Sequence, residues 1–192
     1  MSHDTVIHRI VRPPVRLLAR TGATPNQLTT VRILTGLAAA ACFSRGALAV
    51  GAAVFLVSML FDRADGELAR QTGQMSLAGY RYDLASDCIA STAAFLGLGM
   101  GLAALHPAAP WLGLLAGLGI GILFAELNLW DLMAVRGYTL APGVTVDPDD
   151  AMVLVPVLIW CGLAWPMLVA AAIVTPIAAV AVWAIGFSRR PN

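Results

Sequence analysis

Between residues 62 and 87 the chain reads DRADGELARQTGQMSLAGYRYDLASD, and Asp62, Asp65, Asp83 and Asp87 are its aspartates. On a helix, Asp62, Asp65, Gly66 and Ala69 fall at i, i+3, i+4 and i+7, which is one face. Asp83 and Asp87 are one turn apart on the helix that follows, so they also share a face. Carboxylates gathered in this way repel: two unit charges about 4 Å apart at an effective dielectric of about 20 cost about 4 kcal/mol. A counter-charge is required. Arg63, Arg70 and Arg81 lie close in sequence, but Arg63 directly follows Asp62 and so points about 100° away from it. Divalent cations meet the requirement. An oxygen-only donor set without His or Cys suits a hard ion, Mg²⁺ or Mn²⁺, and two ions can share four carboxylates. Such ions complete their shells with phosphate oxygens, which implies a phosphorylated or nucleotide substrate. Gly66, Ala69 and Gly79 leave room on the acid-bearing faces for a flat base or a diphosphate. The same small residues would equally serve close helix packing in lipid.

The elements that carry these acids belong to a membrane. Of 192 residues, 59% are hydrophobic and only 12% charged, with a mean hydropathy of +0.79, which excludes an ordinary soluble domain. The apolar residues come in blocks, and the reading is an all-α integral membrane protein with six transmembrane helices. The spans fall near Leu28–Ser44, Gly46–Phe61, Leu84–Leu105, Trp111–Trp130, Ala151–Ala164 and Met167–Phe187. The unbroken run from Ala151 to Phe187 would be about 55 Å long as one helix, against a hydrocarbon core of about 30 Å. It must fold back, and Gly162 to Pro166, GLAWP, supplies the turn. Every basic residue is Arg. With six spans, Arg9, Arg12, Arg16, Arg20, Arg63, Arg70, Arg81, Arg136, Arg189 and Arg190 share one side, Arg45 alone takes the other, and Arg32 lies inside the first span. That bias marks the first side as cytoplasmic, placing both termini and the acids there, in the inner membrane of the cell.

Residues 1–24 read as a cytoplasmic juxtamembrane segment and residues 25–192 as the membrane domain. Residues 3–20 mix apolar residues with arginines, as suits a short amphipathic segment on the inner leaflet, and equally a mobile basic tail. Pro13 and Pro14 are expected to break or bend it. The N-terminus lacks the apolar core of a signal peptide. Cys42, Cys88 and Cys161 are far apart without metal-ligand spacing, so no disulfide is expected. No nucleic-acid partner is expected.

Written out, the motif is D-x2-D-G-x2-A-R-x8-G-x3-D-x3-D, on Asp62, Asp65, Gly66, Ala69, Arg70, Gly79, Asp83 and Asp87. It resembles the signature of the CDP-alcohol phosphotransferase (CDP-alcohol phosphatidyltransferase) family, with every fixed position filled. The resemblance implies that an acceptor hydroxyl attacks the β-phosphorus of a CDP-alcohol and CMP departs. It implies Asp62, Asp65 and Asp83 as metal ligands and Asp87 as general base, also able to touch a metal. Gly66, Ala69 and Gly79 would line the cytidine pocket, with Arg70 helping to hold it. TPNQLTTVR, residues 24–32, is similar to the family's first-helix opening. There Pro25 starts the helix, and Asn26, Thr29 and Arg32 either contact the nucleotide and its phosphates or form an ordinary helix start with a snorkelling arginine. The family also implies a homodimer and contact with membrane lipids.

Members acting on phosphorylated acceptors tend to carry Lys or Arg directly after the last aspartate, where this chain has Cys88. The main expectation is therefore a non-phosphorylated acceptor: a serine-type alcohol with CDP-diacylglycerol, or a lipid alcohol with CDP-choline or CDP-ethanolamine. The alternative is glycerol phosphate or inositol phosphate, with Arg81 and Arg136 available for an anion. Asn128 and Asp131 share a helix face and could read an amine or hydroxyl, or simply form a solvated helix end. Two other classes compete, an aspartate-rich prenyltransferase and a divalent-cation transporter.

Overall fold

The computed structural model describes residues 6–129, 138–141, 144–146 and 152–188. Among these, seven helices and one short hairpin follow in order: α1 (Val6–Arg20), α2 (Pro25–Ser44), α3 (Leu48–Thr72), α4 (Leu77–Leu102), α5 (Ala109–Leu129), β1 (Tyr138–Ala141), β2 (Val144–Val146), α6 (Leu154–Trp160) and α7 (Ala164–Ser188). The strands pair antiparallel, Tyr138 opposite Val146.

Local chemistry sets the ends. Pro25 opens α2, and a capping box joins Thr24 to Gln27, whose Oε1 accepts from the Thr24 N–H at 2.9 Å. α3 runs on past the apolar stretch into the motif and stops at Gly73, whose φ of 67° lies in the left-handed region that glycine tolerates. Ser76 then caps α4, its Oγ accepting from the Gly79 N–H at 3.0 Å. Both halves of the acid motif thus sit on helix, joined by a short turn.

α2 packs along both α3 and α4, whereas α3 and α4 barely meet; α4 also packs on α5, α5 on α7, and α6 on α3. Small residues allow the close approach, because apolar tails in lipid give helices no hydrophobic reason to associate. A Cβ at Gly97 would collide with the Ala40 backbone of α2, and one at Gly113 with the Phe95 carbonyl of α4. The core between them holds Phe43, Phe55, Phe95, Leu98 and Leu168.

Among the described residues three helices are long and apolar enough to cross a membrane, Leu77–Leu102, Ala109–Leu127 and Ala164–Ser188. The expected fifth span, Ala151–Ala164, is different: its helix covers only Leu154–Trp160, seven residues, or about 10 Å at 1.5 Å per residue. The fold-back does occur in GLAWP. Gly162, at φ 77°, makes the turn, and α7 starts two residues later with Trp165 and Pro166 in its first turn, where a proline lacks no needed N–H.

α1 is unbroken through Pro13 and Pro14, so of the expected break or bend the break does not occur. Both prolines lie on its exposed side, while Val11 and Val15, one turn apart, are buried against Leu28, Ala64 and Leu68. Packing on that face holds the helix where two missing N–H donors weaken it.

Candidate active site

The acids are gathered by three helices. α3 delivers Asp62 and Asp65 and α4 delivers Asp83 and Asp87; carboxylate oxygens of Asp62, Asp83 and Asp87 lie within 4.8 Å of one another. Asp65, one turn beyond Asp62, is more deeply buried and accepts from the Thr29 hydroxyl of α2 at 2.6 Å. The faces inferred from i, i+3 and i+4 spacing do converge.

The counter-charge comes from α2. Arg32 is buried, 6% exposed. Its Nε stands 2.8 Å from Asp62 Oδ1, Nη1 donates to Ser86 Oγ at 2.6 Å, and Nη2 donates to Asp87 Oδ1. Its backbone carbonyl accepts from Ser58 Oγ at 2.8 Å. Beside this, Thr30 and Tyr82 share a hydrogen bond between their hydroxyls at 2.9 Å, a second tie from α2 to α4. Sequence reasoning weighed only Arg63, Arg70 and Arg81, the arginines nearest in sequence, before turning to divalent cations, and did not consider Arg32 as the counter-charge. Arg70 instead donates to Glu67, at 3.0 Å from Nη2, and Arg81 is exposed, two residues from Asp83 and so not on its face.

The small residues expected at a cytidine pocket have neighbours of their own. A side chain at Gly66 would meet the Arg70 guanidinium, and one at Gly79 would meet Ser76 Oγ and Asn26 Oδ1. Gly66 with Arg70, and Gly79 with Asn26, are therefore neighbours in space, with Ala69 half-buried one turn from Gly66. On the other side of Arg32 a cavity of about 40 Å³ opens between Asp62, Asp87, Ser58, Ser91, Phe124 and Met152, room for a hydroxyl or water beside Asp87. Asn128 belongs to α5, but its side chain, Asp131 and Arg136 lie outside the described residues.

Sequence reasoning missed Ser58, Ser86 and Glu67. Ser58 stands one turn before Asp62 on the same face and Ser86 directly before Asp87, so polar residues inside apolar helices were the available signal. Glu67, on the polar end of α3, collects Arg70, Gln71 at 2.9 Å and Arg12 of α1 at 3.5 Å. Burial pushes its carboxyl up, but hydrogen bonds from Gln71 and Arg70, with the charges of Arg70 and Arg12, outweigh it and hold the group below its usual value.

The donor set fits a hard divalent ion: among the described residues Asp62, Asp83 and Asp87 form an oxygen-only group of the right span, with Asp65 alongside.

The chain is 37% identical over 91 residues to phosphatidylinositol phosphate synthase of Mycobacterium marinum, a match covering 47% of this chain and 39% of that protein. It is 37% identical over 91 residues to the Mycobacterium tuberculosis enzyme, covering 47% and 42%. The matched region thus spans about two fifths of these relatives. The fold is shared with crystal structures of the M. tuberculosis synthase: with CDP-DAG bound, TM-score 0.65 at 24% identity, covering 94% of this chain and 92% of that one; and with manganese and citrate, TM-score 0.63 at 24% identity, covering 93% and 86%.

These relatives correct the expected non-phosphorylated acceptor, serine-type or lipid alcohol, since the proteins matched are named for a phosphatidylinositol phosphate product. The physical reason lies in Cys88: its Sγ donates to the Gly121 carbonyl of α5 at 3.3 Å, so the thiol is engaged at the α4–α5 interface and its identity is no guide to the acceptor. The family model described as CDP-alcohol phosphatidyltransferase matches residues 22–177, and with the acid motif assembled on α3 and α4 around Arg32 of α2, the chain belongs to the CDP-alcohol phosphatidyltransferase family.

Proposed function

We propose that this multi-pass membrane transferase moves the phosphatidyl group of CDP-diacylglycerol to a hydroxyl of a phosphorylated polyol of the inositol phosphate type, releasing CMP. The observation that carries the reading is the convergence of Asp62, Asp83 and Asp87, with Asp65 beside them, in a chain whose relatives are phosphatidylinositol phosphate synthases. The acceptor oxygen bonds to the phosphorus that carries diacylglycerol, the bond from that phosphorus to the bridging oxygen breaks, CMP leaves with that oxygen, and the acceptor proton passes to Asp87. The cavity beside Asp87 supports that role. A prenyltransferase or a cation transporter would leave the full motif match and the family match without a reason.

Asp62, Asp65, Asp83 and Asp87 hold Mg²⁺ or Mn²⁺, two ions by their number of carboxylates, and a structural neighbour with manganese supports this. When bound, the ions neutralise the diphosphate and acidify the acceptor hydroxyl. Gly66, Ala69, Gly79 and Asn26 line the cytidine site, Arg70 borders it, and Thr29 acts through its hydrogen bond to Asp65. Arg81, Arg136, Asn128 and Asp131 are the candidates for the acceptor's phosphate and hydroxyls.

The arginine asymmetry supports six crossings with both termini and the acid site on the cytoplasmic side, α6 and its flanks serving as the short fifth. Residues 1–24 form the juxtamembrane segment and 25–192 the membrane domain, in keeping with α1 packing on the polar end of α3. The functional unit is a homodimer, as the family resemblance implies; light scattering of the purified protein gives its mass. Purified protein in detergent with CDP-diacylglycerol and Mg²⁺ should release CMP with inositol phosphate and none with serine. Release with serine, or from CDP-choline with diacylglycerol, would overturn the acceptor assignment.

A further inference from the structure

α3 and α4 carry the aspartates yet hardly touch; α2 lies along both, and at the acid site Arg32 reaches from α2 to both. It meets Asp62 on α3 and Ser86 and Asp87 on α4, and Ser58 of α3 fixes its carbonyl. Nη1 and Nη2 donate to Ser86 and Asp87, and Nε stands 2.8 Å from Asp62 as an ion-pair contact without a hydrogen bond, so the guanidinium lies between carboxylates of both helices.

We propose that Arg32 is a resident counter-ion of the acid site, a positioning residue that sets the separation of Asp62 and Asp87 and limits how strongly the site attracts divalent ions. This rests on the reading of the aspartates as the ion site, and replaces the expectation that Arg32 contacts the nucleotide. The charge balance gives the direction. With four ionised aspartates, one guanidinium removes one unit of negative charge, and two divalent ions then leave the loaded site with one unit of positive charge for the diphosphate to meet. Without the guanidinium the same ions leave it neutral. Arg32 therefore weakens ion binding and favours the donor's diphosphate afterwards.

The test compares wild type, Arg32→Gln and Arg32→Lys in detergent without nucleotide, with free Mn²⁺ followed by electron paramagnetic resonance and thermal stability followed in EDTA and in Mn²⁺. Arg32→Gln should bind Mn²⁺ about tenfold more tightly than wild type, lose thermal stability in EDTA, and regain it with Mn²⁺. Arg32→Lys, which keeps the charge, should return Mn²⁺ affinity to near the wild-type value. Unchanged or weaker Mn²⁺ binding by Arg32→Gln, with only KM for CDP-diacylglycerol raised, makes Arg32 a phosphate ligand and overturns the inference. Should Arg32→Gln fail to fold, adding Asp62→Asn removes the charge it left unbalanced and should restore folding; no restoration also overturns it. Wild-type protein that binds no Mn²⁺ refutes instead the ion-site reading beneath it.

Discussion

Asp87 and Asp65 share a motif and differ in surroundings. Asp87 borders a cavity, whereas Asp65 is 3% exposed and held by Thr29. Asp87→Asn keeps shape and loses the proton acceptor, so CMP release should fall by about 100-fold or more while CDP-diacylglycerol still binds; turnover near wild type removes Asp87 from the base role. Thr29→Val deletes the donor to a buried carboxylate and should cost about 1–3 kcal/mol in thermal unfolding, with Thr29→Ser close to wild type. Cys88 was the residue most open to misreading. Its place after Asp87 suggested a part in acceptor choice, and only its contact with Gly121 shows that it looks into the α4–α5 interface.

Helices α2, α3 and α4 act as one unit, with α2 as the shared support of the acids. Gly97→Val would drive a side chain into the Ala40 backbone and part α2 from α4, at about 1–3 kcal/mol, and activity should fall with stability because Arg32 and Asp87 move apart. α1 is a separate matter. It is tied to α3 by Val11, Val15 and the Arg12–Glu67 pair, so Glu67→Ala should speed amide exchange across residues 10–20 while α4 keeps its protection. Equal exchange in variant and wild type would leave the apolar contacts as the whole of that tie. The continuity of α1 through Pro13 and Pro14 was not legible locally, because proline propensity argues for a break and only burial of the opposite face argues against it.

For the whole molecule, the apolar helices hold the aspartates near one end of α2, α3 and α4, the end that the proposed reaction requires both the lipid-borne CDP-diacylglycerol and a water-soluble acceptor to reach. EDTA should abolish CMP release and added Mg²⁺ or Mn²⁺ should restore it, as release of CMP over time will record. A rate indifferent to chelation would count against the aspartates as ion ligands. The short α6 marks where hydropathy overstates the length of a helix. Apolar composition from Ala151 onward suits lipid and protein interior alike, and Val155, Pro156 and Ile159 are buried in protein contacts.

Membrane class, helix positions and the pairing of acid faces follow from sequence because they depend on local quantities: apolar run length, capping residues and the 3.6-residue period. Asp62, Asp65, Asp83 and Asp87 were legible for that reason, since two helices joined by a short turn have few ways to arrange one acidic face each. The support from α2 was not. Arg32 stands 30 residues from Asp62 and 55 from Asp87, and nothing in its own neighbourhood says which carboxylates it meets. Helix crossing, set by glycines such as Gly97, decides that contact, and with it which charge balances the site.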